Sequence, residues 1–225
     1  MKSPTLPMLV LVTTLYSCQQ TATPPDNSAS PSATTTGVVR EVVGKELQNR
    51  TCVPGIQVGP IIASSTEADI VRIFGEKNVV RQELREQQED IEPQSVSIVF
   101  EDKPDQLLIR WATGLAYKQI ASVYISGDGA TWRTPEGIGI GSTLDDLVRT
   151  NGRDFDFYGL EWDNSGMSSS WKGGQINKNL IVYLVANNPD AIFAKGGPIG
   201  DKIYSSSLPL SKEAKLEVGG ILIKF

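Results

Sequence analysis

Ser142-Thr143-Leu144-Asp145-Asp146-Leu147-Val148-Arg149-Thr150-Asn151-Gly152 has a counterpart 77 residues earlier, Ser65-Thr66-Glu67-Ala68-Asp69-Ile70-Val71-Arg72-Ile73-Phe74-Gly75. Ser, Thr, Asp, Val, Arg and Gly match in place without a gap, and Ile70 answers Leu147. Agreement of this length marks an internal duplication of one short helix. Thr66 and Thr143 stand at the N-cap, with Asp69 and Asp146 three positions on. That is an Asp version of the capping box, in which side chains satisfy amides that the helix itself leaves without acceptors. Ile70, Ile73 and Phe74 share one helical face in the first copy, as do Leu144, Leu147 and Val148 in the second. Gly75 and Gly152 sit where a chain leaves a helix with positive φ, which glycine adopts freely.

Outward from each helix the sequence turns strand-like. Val96 to Phe100 and Leu107 to Trp111 flank Asp102-Lys103-Pro104-Asp105, a turn signal, so the pair reads as a hairpin. Ile120 to Ile125 is a third strand, closed by Gly127-Asp128-Gly129. After the second helix, Phe155 to Trp162 and Ser169 to Trp171 read as a hairpin around Asp163-Asn164-Ser165-Gly166, followed by Leu180 to Val185. The chain closes with Val218-Gly219-Gly220-Ile221-Leu222-Ile223, which mirrors Ile120-Ala121-Ser122-Val123-Tyr124-Ile125. The expected fold is α+β, with two tandem homologous repeats (38–130 and 131–225), each a short helix packed on an antiparallel sheet. Ala186 to Lys215 is read as an irregular insertion in the second.

Residues 1–17 read as an export signal, with Lys2 before a short apolar stretch from Leu6 to Leu15 that is too short for a membrane span. The stretch ends in Leu15-Tyr16-Ser17-Cys18, which resembles the bacterial lipoprotein signal. Leu15 and Ser17 match its positions before the cysteine, and Tyr16 is bulkier than usual. The resemblance implies acylation of Cys18 and attachment to a membrane through the N-terminal lipid, on the extracytoplasmic side. Gln19 after the cysteine suits the outer membrane if the cell is Gram-negative. Residues 18–37 would then be the lipidated N-terminus and a linker. Gln19 to Thr36 contains no large apolar residue to offset ordering entropy, so it is expected to be disordered, spanning on the order of 25 Å. Gly37 to Leu47 reads equally as strand or short helix.

A short helix followed by an antiparallel meander, given once or twice behind such a signal, resembles the SmpA/OmlA small outer-membrane lipoproteins. The doubled form is similar to β-lactamase-inhibitory-protein-like modules. The likeness rests on Gly141-Ser142-Thr143 leading to Leu147 and Gly152, and on Thr66 to Gly75; the insertion departs from it. Such families imply protein-binding or scaffolding roles rather than catalysis.

Composition narrows the chemistry. Lys and Arg number 21 against 26 Asp and Glu, a net charge of −5 and a pI near 4.9, which argues against a nucleic-acid partner. With no histidine and two cysteines, Ser-His-Asp and Cys-His catalysis and thiolate metal clusters are excluded, and any metal would be held by oxygens. Once Cys18 carries lipid, Cys52 has no internal partner, and it reads as a small buried apolar residue. Gly137-Ile138-Gly139-Ile140-Gly141 lacks the Lys of a nucleotide loop and reads as a tight turn into the helix, so no nucleotide is expected. Ser169-Ser170-Trp171-Lys172 fits Ser-x-x-Lys, but its companion motifs are missing.

Two groups remain as candidates. Asp154, Asp156, Glu161 and Asp163 lie within ten positions and would supply calcium ligands or a glycosidase pair; alternation with Phe155 and Phe157 equally suits a strand with one wet face. Trp132, Tyr158, Trp162 and Trp171 would form a binding platform if exposed, or the core beneath the second helix if buried. The expected function is non-enzymatic, protein-binding or scaffolding, with no cofactor and with another envelope protein as partner. The alternatives are an inhibitor of an envelope enzyme and a carboxylate-dependent hydrolase.

Overall fold

The computed structural model describes residues 48–84, 93–190, 192 and 196–225. The signal, Cys18, the linker and Gly37 to Leu47 lie outside the described residues. The chain is mixed α+β, with sheet dominating.

Three two-residue strands open it: β1 (Cys52–Val53), β2 (Gln57–Val58) and β3 (Ile61–Ile62), paired in that order. Helix α1 (Glu67–Phe74) follows, then a 3-10 turn at Glu76–Asn78. The chain continues through β4 (Val79–Leu84), β5 (Gln94–Val99), β6 (Leu107–Trp111) and β7 (Ile120–Ile125). Helix α2 (Leu144–Asn151) leads into β8 (Asp156–Tyr158), β9 (Ser168–Ser170) and β10 (Leu180–Ala186). Last come β11 (Ile203–Ser205), α3 (Pro209–Glu213) and β12 (Leu216–Lys224).

Both long helices form as their sequences dictate. The Thr66 amide and hydroxyl donate to Asp69 Oδ2 at 2.9 and 2.8 Å, and the Asp69 amide returns a bond to Thr66 Oγ1 at 3.3 Å. Thr143 and Asp146 repeat the exchange at 3.0, 2.7 and 3.2 Å. The exits differ. Gly152 ends α2 in the left-handed conformation, φ 75° and ψ 2°. Gly75 has φ 85° but ψ 138°, so the chain bends directly into the 3-10 turn, where Asn78 Nδ2 caps Phe74 O at 2.8 Å.

The main sheet has six antiparallel strands in the order β10-β12-β7-β6-β5-β4. The two halves therefore do not carry separate sheets as the sequence reading had them: β12 hydrogen-bonds to β7, with Ile221 opposite Ile125 and Ile223 opposite Val123. Their side chains are buried on both strands, so the join lies in the apolar centre and hydrophobic burial holds it. Ile70, Ile73 and Phe74 of α1, and Leu144 and Leu147 of α2, belong to the same core as Ile109, Val123 and Ile221.

A second sheet, β11-β8-β9, stands beside β10. The insertion is not wholly irregular, since it supplies β11 and α3. The expected second hairpin is shorter than predicted: β8 stops at Tyr158, and Trp162 falls in the turn. Bonds close that turn, from Gly166 N–H to Gly159 O (3.3 Å) and from Met167 N–H to Asn164 O (2.9 Å). Among the described residues no helix is long and apolar enough to cross a membrane.

Candidate binding site

In the small sheet, Phe157 points into the core while Asp156 and Tyr158, its neighbours in β8, lie on the opposite, outer side, as strand alternation requires. Cross-strand register extends that outer row. Tyr158 faces Ile203, and Asp156 faces Ser205 on one side and Ser170 on the other. Ile203 is 58% exposed, and Trp162 in the adjoining turn is 61% exposed. The remaining tryptophans, Trp111, Trp132 and Trp171, are at most 9% exposed.

The four aromatic candidates therefore divide. Trp132 and Trp171 are core and form no surface platform. Each places its indole N–H on a backbone carbonyl: Trp132 on Asp105 O at 3.2 Å, Trp171 on Leu180 O at 3.0 Å. Trp171 also packs against Phe155, ring centroids 4.9 Å apart, and the Arg50 guanidinium lies over Trp132 at 4.7 Å. Tyr158 is half-buried and Trp162 exposed. Tyr158 and Ile203, cross-strand neighbours, make the outer patch, and Trp162 lies in the turn that follows β8.

Beside the patch is a charged cluster. Lys172 Nζ reaches Asp154 Oδ2 at 2.7 Å and Asp156 Oδ1 at 2.9 Å, and the Ser205 hydroxyl donates to Asp154 Oδ2 at 3.0 Å. The Lys172 hydrogen bond, helped by Ser205, holds the Asp154 carboxyl below its ordinary range, and the same bonds to Asp154 and Asp156 push the Lys172 ammonium up. A lysine so stabilised in its charged form is a poor general base, and a carboxylate held as Asp154 is makes a poor general acid. Glu161 and Asp163 lie on the exposed turn, away from this cluster. Among the described residues no group of three or more acidic or cysteine side chains could hold a metal ion. Ser169 and Lys172 form no dyad, because the Lys172 amine is committed to the aspartates.

Cys52 is buried, as its reading requires, and desolvation pushes its thiol up to about 12. Sequence reasoning passed over Ile203. Its signal was an Ile-Tyr pair in the polar run Asp201-Lys202-Ile203-Tyr204-Ser205, hidden inside what reads as an insertion.

No protein-family model matches the sequence, and no curated protein or solved structure shows significant similarity to it.

Proposed function

We propose that this is a non-enzymatic binding protein, anchored by lipid on Cys18 to an extracytoplasmic membrane face, which holds a protein partner on the outer side of the β11-β8-β9 sheet. The observation that carries the reading is Trp162. A large aromatic left 61% exposed, in a chain that buries every other tryptophan, supplies contact area at low entropic cost, and such residues dominate interface energies. Ile203 and Tyr158 extend the apolar centre, and the Asp154–Lys172–Asp156 cluster forms a polar rim.

We further infer that the molecule is a tandem duplication. Matched capping boxes support this, as does a shared bond ahead of each helix. Ser65 Oγ accepts the Ile62 amide at 3.1 Å, and Ser142 Oγ accepts the Gly139 amide at 2.9 Å. The β7–β12 register supports it too. Tyr124 and Leu222, which correspond in the sequence repeat, are paired with each other, and Val123 and Ile125 pair with the counterparts of one another. Equivalent strands related by a local two-fold axis pair in that way.

The test uses the full chain expressed in an envelope-bearing bacterium. Fatty-acid labelling and fractionation of wild type against Cys18→Ala check the anchor. Unlabelled wild type that fractionates like the variant overturns it. Crosslinking of wild type against Trp162→Ala, with folding followed by circular dichroism, checks the surface. A folded Trp162→Ala that keeps every crosslink removes the site. Glycan or peptide hydrolysis abolished by Asp156→Asn would place the protein among enzymes instead.

A further inference from the structure

The main sheet has two edges, and the fold treats them differently. The chain covers β10 itself: Val182 N–H donates to Ser168 Oγ at 3.1 Å and Leu184 N–H to Gly166 O at 2.9 Å, while Leu180 O accepts the Trp171 indole. At the far end, β4 has a strand neighbour on one side only. It pairs with β5 without a bulge and contains no proline or lysine. Natural edges are ordinarily blunted by such devices, because an open row of amides and carbonyls recruits another strand. One bond fixes which groups form that row. Phe100 N–H donates to Asn78 O at 2.9 Å, continuing the register in which Val79 faces Val99. Backbone groups alternate sides along a strand. The even-numbered residues of β4 therefore turn theirs toward β5, and Arg81 and Glu83 turn theirs outward. Those outward groups meet no backbone partner among the described residues.

The side chains decide which strand fits. A second copy of β4, antiparallel about a two-fold axis, exchanges bonds only in registers that set odd-numbered residues opposite odd-numbered ones. Centred on Arg81 or on Glu83, the pairing opposes like charges and is repelled. Centres nearer either end set Glu83 beyond the strand of the second copy. Centred on Gln82, it sets Arg81 opposite Glu83 of the second copy, Val80 opposite Leu84, and Gln82 opposite itself. Each Arg81–Glu83 pair then gains its backbone bonds and a charge match, and the axis repeats the pair, as a contact between identical surfaces requires. Arg81 can serve two carboxylates, since a guanidinium carries five donors and this side chain stays 67% exposed while paired with Glu67. Val80, 37% exposed, gains an apolar neighbour. We propose that two copies of this protein associate through β4, antiparallel and centred on Gln82, joining their main sheets into one. This edge lies at the opposite end of the main sheet from the β11-β8-β9 surface, so the dimer and the partner site are independent.

Sedimentation equilibrium of the full chain carrying Cys18→Ala, from about 1 μM to about 1 mM, tests the association. A contact of this size is weak, so the mass should climb from monomer to dimer across that range. Glu83→Arg sets like charges face to face and should weaken the dimer at least about tenfold, with the melting temperature of the monomer unchanged. Gln82→Cys reads the register. Its two copies would form a non-hydrogen-bonded pair with Cα atoms about 4.5 Å apart, within disulfide reach, so a linked dimer should form in air. Glu83→Cys and Val80→Cys should not link. The two Glu83 positions stand two residues out of line, about 7 Å along the strand before the gap between strands is added, and the two Val80 positions stand further apart. Cys52 is buried and adds no background. The proposal is overturned by a chain that stays monomeric throughout, or by a dimer as strong in Glu83→Arg as in the parent, which would place the contact elsewhere. It is also overturned if Gln82→Cys fails to link, or if Glu83→Cys or Val80→Cys links as readily.

Discussion

Arg81, on the edge strand β4, forms an ion pair with Glu67, whose carboxylate is buried in the first turn of α1. Glu67 Oε1 accepts from the Ser97 hydroxyl at 3.1 Å, and Ser97 in turn accepts the Trp111 indole N–H at 3.0 Å. The guanidinium also lies over the Tyr117 ring, 4.9 Å from its centroid. An indole, a hydroxyl, a carboxylate and a guanidinium thus run in one line from the core to the surface. At the corresponding position of the second helix stands Leu144, which is simply buried.

Removing the cation from this line should cost more than neutralising the anion. Arg81→Met leaves a buried carboxylate supported by Ser97 alone, and is expected to destabilise by about 2 kcal/mol, the lower end for a broken buried pair because the arginine is largely exposed. Glu67→Gln keeps an acceptor for Ser97 and should cost less. Urea unfolding of the two variants gives the order. Glu67→Gln proving the worse would show that the pair contributes little.

The helix caps predict an acid limb. Hydrogen bonds from the Thr143 hydroxyl and amide, then from Arg149, lower the Asp146 carboxyl to about 2. Asp69 is lowered by Thr66 in the same manner. Both folded values lie below the roughly 3.9 of an unfolded aspartate. Their stabilisation is therefore complete above about pH 4 and is lost as pH falls below that range, in the case of Asp146 on the approach to about 2. Unfolding curves between pH 2 and 7 should show this slope flattened in Asp146→Asn. At neutral pH, Thr143→Ala and Thr66→Ala should each cost about 1 kcal/mol.

Cys52 should be silent in the native protein. Burial pushes its thiol up to about 12, so at pH 8 almost no thiolate exists, and the sulfur is also shielded. Reaction with a disulfide reagent is expected only at the rate of unfolding. Rapid labelling of native protein would mean that the β1 region opens locally.

The tryptophans should separate into two behaviours. Trp171→Ala and Trp132→Ala each remove a buried ring and strand a carbonyl, and should destabilise by about 3–5 kcal/mol. Trp162→Ala should leave the melting temperature within a degree or two of wild type, because surface changes stay within about 0.5 kcal/mol. Thermal scans decide. Equal losses at Trp162 and Trp171 would mean that the exposed ring is structural.

What could be read from the sequence was what depends on near neighbours. The capping boxes at Thr66 and Thr143 involve residues three apart, and the hairpin between β5 and β6 turns on four residues. Each of these is fixed by local geometry. The tertiary structure alone decided whatever depends on distant partners. Alternation of Asp154 and Asp156 with Phe155 and Phe157 offered a wet face on β8, but it left Tyr158 open between surface and core and could not say that Ile203 would stand beside it. Nor did any pattern show that Trp171 would lie on Phe155 while Trp162 stayed in water, because a strand that ends four residues early moves a side chain from core to turn. Glu67 shows the same limit, since a glutamate in the first turn of a helix reads as solvated until Arg81 and Ser97 arrive from strands to enclose it. The joining of β7 to β12 is of this kind too. Val123, Ile125, Ile221 and Ile223 are apolar enough to want burial, but only the folded chain settles that they bury one another's strands in a single sheet.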